Sequence, residues 1–374
     1  MNVAIVCGGT GGHLFPGLAL GEELLARRHQ VLLVVSRKEI DRIAIRGTAG
    51  FTIRSLPAVG WRGWRPDYIA RFAVMMLQSV FEIARVFREY PPDVVVGMGG
   101  FSSVAPLLLA RMRGVPGCIH ESNAITGKAN RWLAGSTSVV ALGFEGARAQ
   151  LQGRRTMVTG TPVRAALRAP RDRGEARSRL GIARDASTVL VMGGSQGAKG
   201  LNRVVLDAVV HVRGTGLHWL HLAGEAEEQN VSDAYRRVGV KAQVYSFCHD
   251  MQDLYAATDL VIARAGAASL AEVTWWGLPS ILIPYPLATD RHQSANARSL
   301  VDRGAALMHE EADCRPSDLA REIETILSDS ARRGAMADAA RKARAADAHT
   351  KLADMVEGLG KGRAPPEVAE EQRK

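Results

Sequence analysis

The hydrophobic pattern of the chain consists of short apolar runs that alternate with longer amphipathic stretches. The clearest unit begins at Asp259–Ala263, an apolar run suited to a strand buried on both faces. Small residues at Arg264–Ser269 then open a helix, Gly277–Pro279 ends it, and Ser280–Pro284 is the next strand. This order predicts a strand–helix–strand unit of a parallel α/β sheet, whose ligands bind at the carboxyl ends of the strands.

The same pattern occurs in both halves of the chain. Asn2–Val6 and Ser187–Met192 are apolar runs, and each leads directly into a glycine-rich turn that opens a helix. Further strands are predicted at residues 30–35, 50–57, 92–96, 116–120, 137–141, 156–159, 217–223 and 241–245. Two halves of like design predict an α/β protein with two doubly wound, Rossmann-like domains that face each other across a cleft.

The predicted domain boundary lies next to residues 165–183, an Arg-, Ala- and Pro-rich stretch that is typical of a linker. We predict an N-terminal domain over residues 1–163, joined by a C-terminal helix at about residues 341–358, and a C-terminal domain over residues 164–340. Residues 359–374 are charged and contain proline, which is typical of a disordered tail. The total length of 374 residues also favours two domains.

Composition narrows the class of partner. The net charge of +10 favours anionic partners, and no nucleic-acid-binding module occurs, so we predict no nucleic acid partner. The four cysteines lack metal-ligand spacing, which is typical of reduced thiols. No signal peptide and no apolar run of about 20 residues is found. We therefore expect a cytoplasmic protein, attached to a membrane at most from one side.

Three glycine-rich loops, each placed directly after a strand, carry the candidate chemistry. They are Gly8–His13, Gly97–Ser103 and Gly193–Ala198. Free backbone N–H groups at such turns and helix starts bind anions. The first loop departs from the dinucleotide fingerprint, because Leu14 occupies the third glycine position and Ser36–Lys38 stands where an acidic residue is expected. An NAD site is therefore disfavoured.

The predicted helix Asp67–Tyr90 has an unusually wide apolar surface. Its expected core stripe is Ile69, Phe72, Ala73, Met76, Val80, Ile83 and Phe87. The apolar surface widens through Val74, Leu77 and Phe81, beside Arg85 and Arg88, and the loop before the helix alternates tryptophan with arginine. Either a thick core helix or a membrane-contacting helix fits this pattern. The pattern alone slightly favours the core helix.

Seven motifs in order resemble the MurG family of cell-wall glycosyltransferases over about residues 1–355. They are GGTGGH (8–13), GMGGFSS (97–103), HESN (120–123), GTPVR (160–164), GGSQGA (193–198), RAGAASLAE (264–272) and DRHQSAN (290–296). The resemblance implies a GT-B fold and an enzyme that moves N-acetylglucosamine (GlcNAc) from UDP-GlcNAc to lipid I, giving lipid II. Lipid I is undecaprenyl-pyrophosphoryl-MurNAc-pentapeptide, in which MurNAc is N-acetylmuramic acid.

The resemblance also implies a set of binding residues. Glu272 would hold the ribose hydroxyls, and backbone near Cys248 would meet the uracil edge. The acceptor diphosphate is assigned to Gly99, Gly100 and Ser102. The complete predicted donor set is Thr10, Gly11, Gly12, Asn123, Arg164, Ser195, Cys248, Ala267, Ala268, Ser269, Leu270, Ala271, Glu272 and Gln293. Ser122 and Thr161 replace the commoner glutamine and asparagine of the family, at positions outside the donor set.

The implied reaction inverts the anomeric configuration. The C4 hydroxyl of MurNAc attacks the anomeric carbon of the donor, and UDP leaves from the opposite face. His13 is the first candidate for the general base, and Glu121 is the second. Helix N-termini and Ser195 would stabilise the departing diphosphate. Because no Asp-x-Asp triplet occurs in the chain, we predict no obligatory protein-bound metal and no other cofactor.

The resemblance changes the interpretation of the wide apolar helix. An enzyme that acts on a lipid-linked acceptor at the cytoplasmic face of the inner membrane needs a surface for the bilayer. We therefore predict peripheral contact with an anionic membrane through Trp64, Leu77, Phe81, Arg85 and Arg88. The same resemblance suggests cell-wall synthesis and division proteins as further partners.

Two alternatives belong to other classes of function. A hydrolysing UDP-GlcNAc 2-epimerase, or another two-domain glycosyltransferase, would share the architecture and the donor class. A non-catalytic scaffold would bind the nucleotide sugar without transferring it. The motifs GGTGGH, HESN and GGSQGA disfavour the epimerase, and the presence of His13, Glu121 and Glu272 disfavours the scaffold.

Overall fold

The computed structural model describes residues 1–8, 11–37, 48–57, 65–194, 198–213, 216–248 and 250–363. The chain divides into two compact units, one of residues Met1–Ala165 and Ala345–Lys374 and the other of residues Ala166–Arg344. The division therefore lies two residues after the boundary predicted at residue 163. Among the described residues, no helix is both long and apolar enough to cross a bilayer.

The first unit is built around a seven-stranded parallel sheet. Its strands are β1 (Asn2–Val6), β2 (Gln30–Ser36), β3 (Thr52–Leu56), β4 (Val94–Gly97), β5 (Gly117–Glu121), β6 (Val139–Leu142) and β7 (Thr156–Val158), in the order β3-β2-β1-β4-β5-β6-β7. Its helices are α1 (Gly11–Ala26), α2 (Pro66–Glu89), α3 (Val104–Met112) and α4 (Lys128–Leu133). Helix α5 (Ala165–Arg168) crosses the division, because only its first residue belongs to this unit. Short 3-10 turns occupy Phe101–Ser103 and Glu145–Gln150.

The second unit repeats the design with six parallel strands. They are β8 (Ser187–Met192), β9 (Leu217–Leu222), β10 (Ala242–Tyr245), β11 (Leu260–Ala263), β12 (Ser280–Leu282) and β13 (Ala306–Met308), in the order β10-β9-β8-β11-β12-β13. The helices are α6 (Arg173–Arg179), α7 (Lys199–Val209), α8 (Glu228–Arg237), α9 (Met251–Ala257), α10 (Ala267–Trp276), α11 (His292–Val301), α12 (Pro316–Ser328) and α13 (Ser330–Ala343), with a 3-10 turn at Thr289–Arg291.

The last helix, α14 (Ala348–Gly360), returns to the first unit. Its buried residues, which include Leu352 and Val356, join the hydrophobic core of β1, β2 and α1. Glu357 accepts hydrogen bonds from Arg27 (3.2 Å) and His29 (3.0 Å). The predicted joining helix at 341–358 is therefore two helices, because residues 341–343 end α13 in the second unit.

The predicted linker at residues 165–183 is wrong, because it contains helices α5 and α6. Arg177 of α6 is 4% exposed and donates to the carbonyl of Ala257 (3.2 Å from Nε) and to the Asp259 carboxylate (2.8 Å). These bonds tie α6 to the amino-terminal end of β11. An arginine-rich composition suggested a solvated segment, but a guanidinium with enough acceptors can be buried.

Helix α2 contributes only one side of its surface to the core. Ile83 and Phe87 are buried, whereas Val74, Leu77 and Phe81 are 54%, 59% and 74% exposed. The prediction that Ile69 and Ala73 belong to the core stripe is wrong, because both residues are exposed, Ile69 by 39%. Four large apolar side chains of this helix are therefore exposed to solvent.

Candidate functional site

The sheet order places the first two glycine loops side by side. The order reverses between the adjacent strands β1 and β4, and this is the point where doubly wound sheets bind their ligands. Gly8 follows β1, and the second loop follows β4. The hydroxyl of Ser102 donates to the Gly8 carbonyl at 3.2 Å, which joins the two loops directly. Gly9 and Thr10, in the middle of the first loop, lie outside the described residues.

His13 lies in the first turn of α1 and packs against the second glycine loop. Gly11 and Gly12 precede it in the same turn. Gly99 has a φ of +110°, and a Cβ added there would lie 2.9 Å from His13 Nε2. Gly100 has a φ of +76°, and its added Cβ would lie 3.4 Å from His13 Cε1. The imidazole therefore occupies the space that side chains in this loop would fill.

Glu121 is buried and accepts hydrogen bonds with both carboxylate oxygens. Oε1 accepts from the backbone N–H (2.9 Å) and side-chain amide (3.2 Å) of Asn123. Oε2 accepts from the Gly127 N–H (2.8 Å) and the Asn130 amide (2.8 Å). The carboxylate thus fixes the loop between β5 and α4. Because its lone pairs are engaged by four N–H donors, this geometry favours a positioning role over the predicted second role as general base.

Asn130 links the Glu121 carboxylate to the glycine loop that packs against His13. This residue was not predicted from the sequence. Its amide nitrogen donates to Glu121 and would lie 3.4 Å from a Cβ added at Gly99. The asparagine side chain is 3% exposed. His13 therefore lies against this glycine loop directly, and Glu121 is linked to the loop through Asn130. No sequence motif identified Asn130, because it lies seven residues beyond HESN on a different element.

Arg164 and Asn123 are the other predicted donor contacts in the first unit. The Arg164 guanidinium lies over the ring of Phe15, 4.6 Å from its centroid, a cation–π arrangement that orients the side chain. The next residue, Ala165, donates its N–H to Glu22 of α1 at 2.7 Å. Helix α1 therefore contacts the chain at both Arg164 and Ala165.

The second unit has an equivalent reversal of strand order between β8 and β11. The third glycine loop follows β8, and its Ser195 lies outside the described residues. The predicted stretch Ala267–Glu272 forms the start of α10, whose N-cap, Gly266, makes no side-chain cap hydrogen bond. The first backbone N–H groups of such a helix suit a phosphate.

Glu272 lies in the second turn of α10 rather than the first. The hydroxyl of Tyr255 donates to its carboxylate at 2.7 Å, and the Tyr255 ring stacks on Trp276 at a centroid distance of 6.1 Å. Tyr255 is 1% exposed, so its position is fixed by packing. This orientation of Glu272 was not predicted from the sequence.

Gln293 holds two backbone segments together. Its Oε1 accepts from the N–H groups of Ala265 (3.2 Å) and Tyr285 (2.9 Å). Asn296, which is fully buried, donates to the Ala265 carbonyl at 3.0 Å. Because Oε1 accepts these two hydrogen bonds, the side-chain amide nitrogen is the group through which Gln293 can donate a hydrogen bond.

Arg264, at the start of the RAGAAS loop, is a buried organiser of this region. It donates to the carbonyls of Ile283 and Pro284, both at 3.0 Å, and forms an ion pair with Glu311. The Glu311 carboxylate lies against Gly200 at the start of α7. One guanidinium therefore links the loop after β11, the end of β12 and the first turn of α7.

Cys248 is half-buried in the segment after β10. Burial raises the pKa of its thiol, so this side chain is neutral near pH 7. Among the described residues, no group of three or more His, Cys, Asp and Glu side chains could hold a metal ion.

The membrane prediction concerns the exposed side of α2. Leu77 and Phe81 lie on it, with Arg85 and Arg88 exposed nearby. Arg85 pairs with Glu89 at 3.2 Å. Trp64, the fifth predicted residue, lies outside the described residues.

Family models match both halves of the chain. The glycosyltransferase family 28 N-terminal domain matches residues 3–141, and the C-terminal domain of that family matches residues 188–352. The chain is 36% identical to a protein of Anaeromyxobacter sp. (strain Fw109-5) over 95% of its own length and 92% of the relative, and 37% identical to one of Geobacter sulfurreducens over 95% and 97%. Both are named UDP-N-acetylglucosamine--N-acetylmuramyl-(pentapeptide) pyrophosphoryl-undecaprenol N-acetylglucosamine transferase.

The chain belongs to this family. It is a glycosyltransferase of the MurG family, and the resemblance inferred from the seven motifs is confirmed. A crystal structure of Acinetobacter baumannii MurG superposes with a TM-score of 0.72 at 28% identity, covering 95% of this chain and 99% of that one. The GT-B fold class is confirmed with it.

The epimerase alternative shares only the fold. A putative UDP-N-acetylglucosamine 2-epimerase from Listeria monocytogenes has a TM-score of 0.68 at 12% identity, covering 98% of each chain. Such likeness identifies the architecture and not the chemistry.

Proposed function

We propose that this enzyme transfers GlcNAc from UDP-GlcNAc to the C4 hydroxyl of MurNAc in lipid I, giving lipid II and UDP. The observation that carries the proposal is the identity of 36–37% over 92–97% of the length of relatives named for this transfer. The two glycine loops of the first unit follow β1 and β4, and α10 follows β11, so these parts of the proposed site lie at the reversal points where doubly wound folds bind ligands.

The donor is assigned mainly to the second unit. The N-terminus of α10 supplies N–H groups for the diphosphate, and Glu272, oriented by Tyr255, accepts from the ribose hydroxyls. Gln293 presents its amide nitrogen to a sugar oxygen. The resemblance also assigns Asn123 and Arg164 to the donor. Backbone at Cys248 meets the uracil edge, so a neutral thiol there does not interfere.

The acceptor is assigned to the first unit. Its diphosphate lies on the second glycine loop, at Gly99, Gly100 and Ser102. Both glycines have positive φ angles, and the Ser102 hydroxyl donates to the Gly8 carbonyl. His13 takes the proton from the attacking C4 hydroxyl. An imidazole suits this step because it accepts protons near neutral pH. Its contact with Gly99 and Gly100 supports placing the base beside the acceptor diphosphate.

The attack inverts the anomeric carbon. The new bond forms between the C4 oxygen and that carbon as the bond to the UDP oxygen breaks on the opposite face. The leaving diphosphate gains negative charge, and N–H groups and the dipole at the start of α10 stabilise it. Glu121 acts as a positioning residue, holding Asn123 and Asn130 in place through four hydrogen bonds.

Peripheral contact with the cytoplasmic face of the inner membrane is part of the proposal. Exposed Leu77 and Phe81, with Arg85 and Arg88 on the same helix, support it, because apolar side chains beside basic ones bind anionic bilayers. Cell-wall synthesis and division proteins would be partners at the same membrane.

Incubation with labelled UDP-GlcNAc and a lipid I analogue tests the proposed function. Label in the lipid fraction supports it. Release of free GlcNAc, or binding without transfer, contradicts it.

A further inference from the structure

Ser122 of the HESN segment and Thr161 of the GTPVR segment meet at one place in the fold. Gly143 follows β6 and donates its N–H to the Glu121 carbonyl at 2.7 Å. A Cβ added at Gly143 would lie 2.6 Å from Thr161 Oγ1 and 2.7 Å from the Ser122 carbonyl oxygen. The HESN and GTPVR segments therefore both pack against the position that a Cβ of Gly143 would occupy, which leaves no room for a side chain there.

A buried histidine joins the same two segments by hydrogen bonds. His120 is fully buried; its Nε2 lies 2.9 Å from the Gly160 carbonyl oxygen and its Nδ1 lies 3.1 Å from Ser122 Oγ. A carbonyl only accepts, so Nε2 carries the hydrogen, and Nδ1 is then the acceptor of the serine hydroxyl. Burial lowers the pKa of His120 to about 4, so the ring is neutral at pH 7 and keeps this tautomer.

These contacts lie next to two donor-binding residues. Ser122 precedes Asn123, and Gly160 begins the segment that carries Arg164. The Gly160 carbonyl also accepts the Thr159 hydroxyl at 2.9 Å, so it is held by two donors. In contrast, Thr161 Oγ1 is buried and has no hydrogen-bond partner in the described part of the chain.

We propose that Ser122 is a positioning residue for donor binding. Its hydroxyl holds the His120 ring, the ring holds the Gly160 carbonyl, and this relay fixes Arg164 relative to Asn123. Ser122 thus supports the donor site through His120 and does not itself touch the donor. The inference rests on the proposed function, because it takes Asn123 and Arg164 as contacts of UDP-GlcNAc.

The test compares Ser122→Ala with Thr161→Val in the full-length enzyme. Ser122→Ala removes the hydroxyl that donates a hydrogen bond to His120 Nδ1. We expect the KM for UDP-GlcNAc to rise about 3- to 10-fold, which corresponds to the loss of one neutral hydrogen bond, with little change in kcat. Thr161→Val removes a buried hydroxyl of the same size that has no partner. This matched control should leave both constants unchanged.

Nitrogen NMR of labelled histidine tests the relay itself, independently of activity. We expect the non-protonated Nδ1 signal of His120 to move in Ser122→Ala and to stay in place in Thr161→Val. An unmoved Nδ1 signal in Ser122→Ala overturns the relay. A moved signal with an unchanged donor KM overturns the positioning role. A wild-type enzyme that transfers no GlcNAc is a failure of the proposed function instead, and the NMR result still decides the relay.

Discussion

His13 Nε2 would lie only 2.9 Å from a Cβ added at Gly99, so the proposed base and the proposed diphosphate loop share one packed surface. The glycine is needed twice, because its φ of +110° disfavours other residues and because its missing side chain leaves space for the imidazole. The orientation of His13 therefore depends on a loop more than 80 residues away in the chain.

Gly99→Ala is expected to displace His13 and to lower kcat by about tenfold or more, because small misplacement of a catalytic group is costly. Gly114→Ala is the matched control. Gly114 also has a positive φ, +70°, but an added Cβ there would meet nothing within 4 Å. Steady-state kinetics of both variants separates backbone strain from loss of the His13 position. Equal kcat values in the two variants would show that the contact with His13 does not matter.

Glu121→Gln is expected to destabilise the first unit more than it alters the pH dependence of turnover. The substitution turns one accepting oxygen into an amide that faces N–H donors, and hydrogen bonds to a charged group contribute about 1.5–3 kcal/mol each. We therefore expect the free energy of unfolding to fall by about 3 kcal/mol. Urea unfolding and the pH profile of kcat/KM provide the measurements. Loss of the acidic limb of that profile at unchanged stability would instead make Glu121 the base.

Acidification from pH 7 to pH 5 is expected to destabilise both units through buried histidines. Burial lowers the pKa of His120 to about 4 and that of His221 to about 3. Unfolded histidines bind protons near pH 6.5, so the unfolded state takes up more protons than the folded one below that pH, and stability falls. At pH 5 the loss is about 2 kcal/mol for each residue.

The pKa of His309 shifts in the opposite direction to those of His120 and His221, so this residue serves as an internal comparison. A hydrogen bond with Glu322 raises the pKa of His309, so its stabilisation is complete below pH 6.5 and is lost as pH rises through the folded pKa. NMR titration of the imidazoles should show His309 titrating above pH 6.5 and neither His120 nor His221 titrating between pH 7.5 and 5. Titration of either buried ring near 6.5 would contradict the account.

Leu77→Glu combined with Phe81→Glu is expected to weaken binding to anionic liposomes by about tenfold or more, since a large apolar side chain buried in the bilayer contributes about 1.5–3 kcal/mol. Val210→Glu combined with Val238→Glu is the matched control on the second unit, where the two valines are 59% and 42% exposed. Sedimentation with liposomes at fixed ionic strength measures both. Equal binding by the two double variants would exclude this side of α2 as the membrane contact.

Much of the fold could be predicted because most strands of the two parallel sheets read as short apolar runs. Strand β13 was missed, since Ala306–Met308 is short and contains no β-branched or aromatic residue. The 165–183 segment was misjudged, because the acceptors that allow Arg177 to be buried lie about 80 residues further along the chain. Composition does not report such distant partners.

The motifs located the candidate site along the chain but not the contacts that orient it. Tyr255 reaches Glu272 from 17 residues away, and the Glu311 carboxylate reaches Arg264 from 47. Neither partner belongs to a motif. The stretch from Asp259 to Asn296 thus carries several of the proposed donor-binding residues, and side chains outside its motifs contact them.

The most direct test of the central claim follows label from UDP-GlcNAc into a lipid I analogue with wild-type enzyme and with His13→Ala. The account predicts a β-linked disaccharide lipid from the wild type. In His13→Ala it predicts a kcat about 10²- to 10⁴-fold lower at a nearly unchanged donor KM, as expected for loss of a general base. An α-linked product would contradict the proposed inversion. Unchanged turnover of His13→Ala would contradict the role of His13 as the general base.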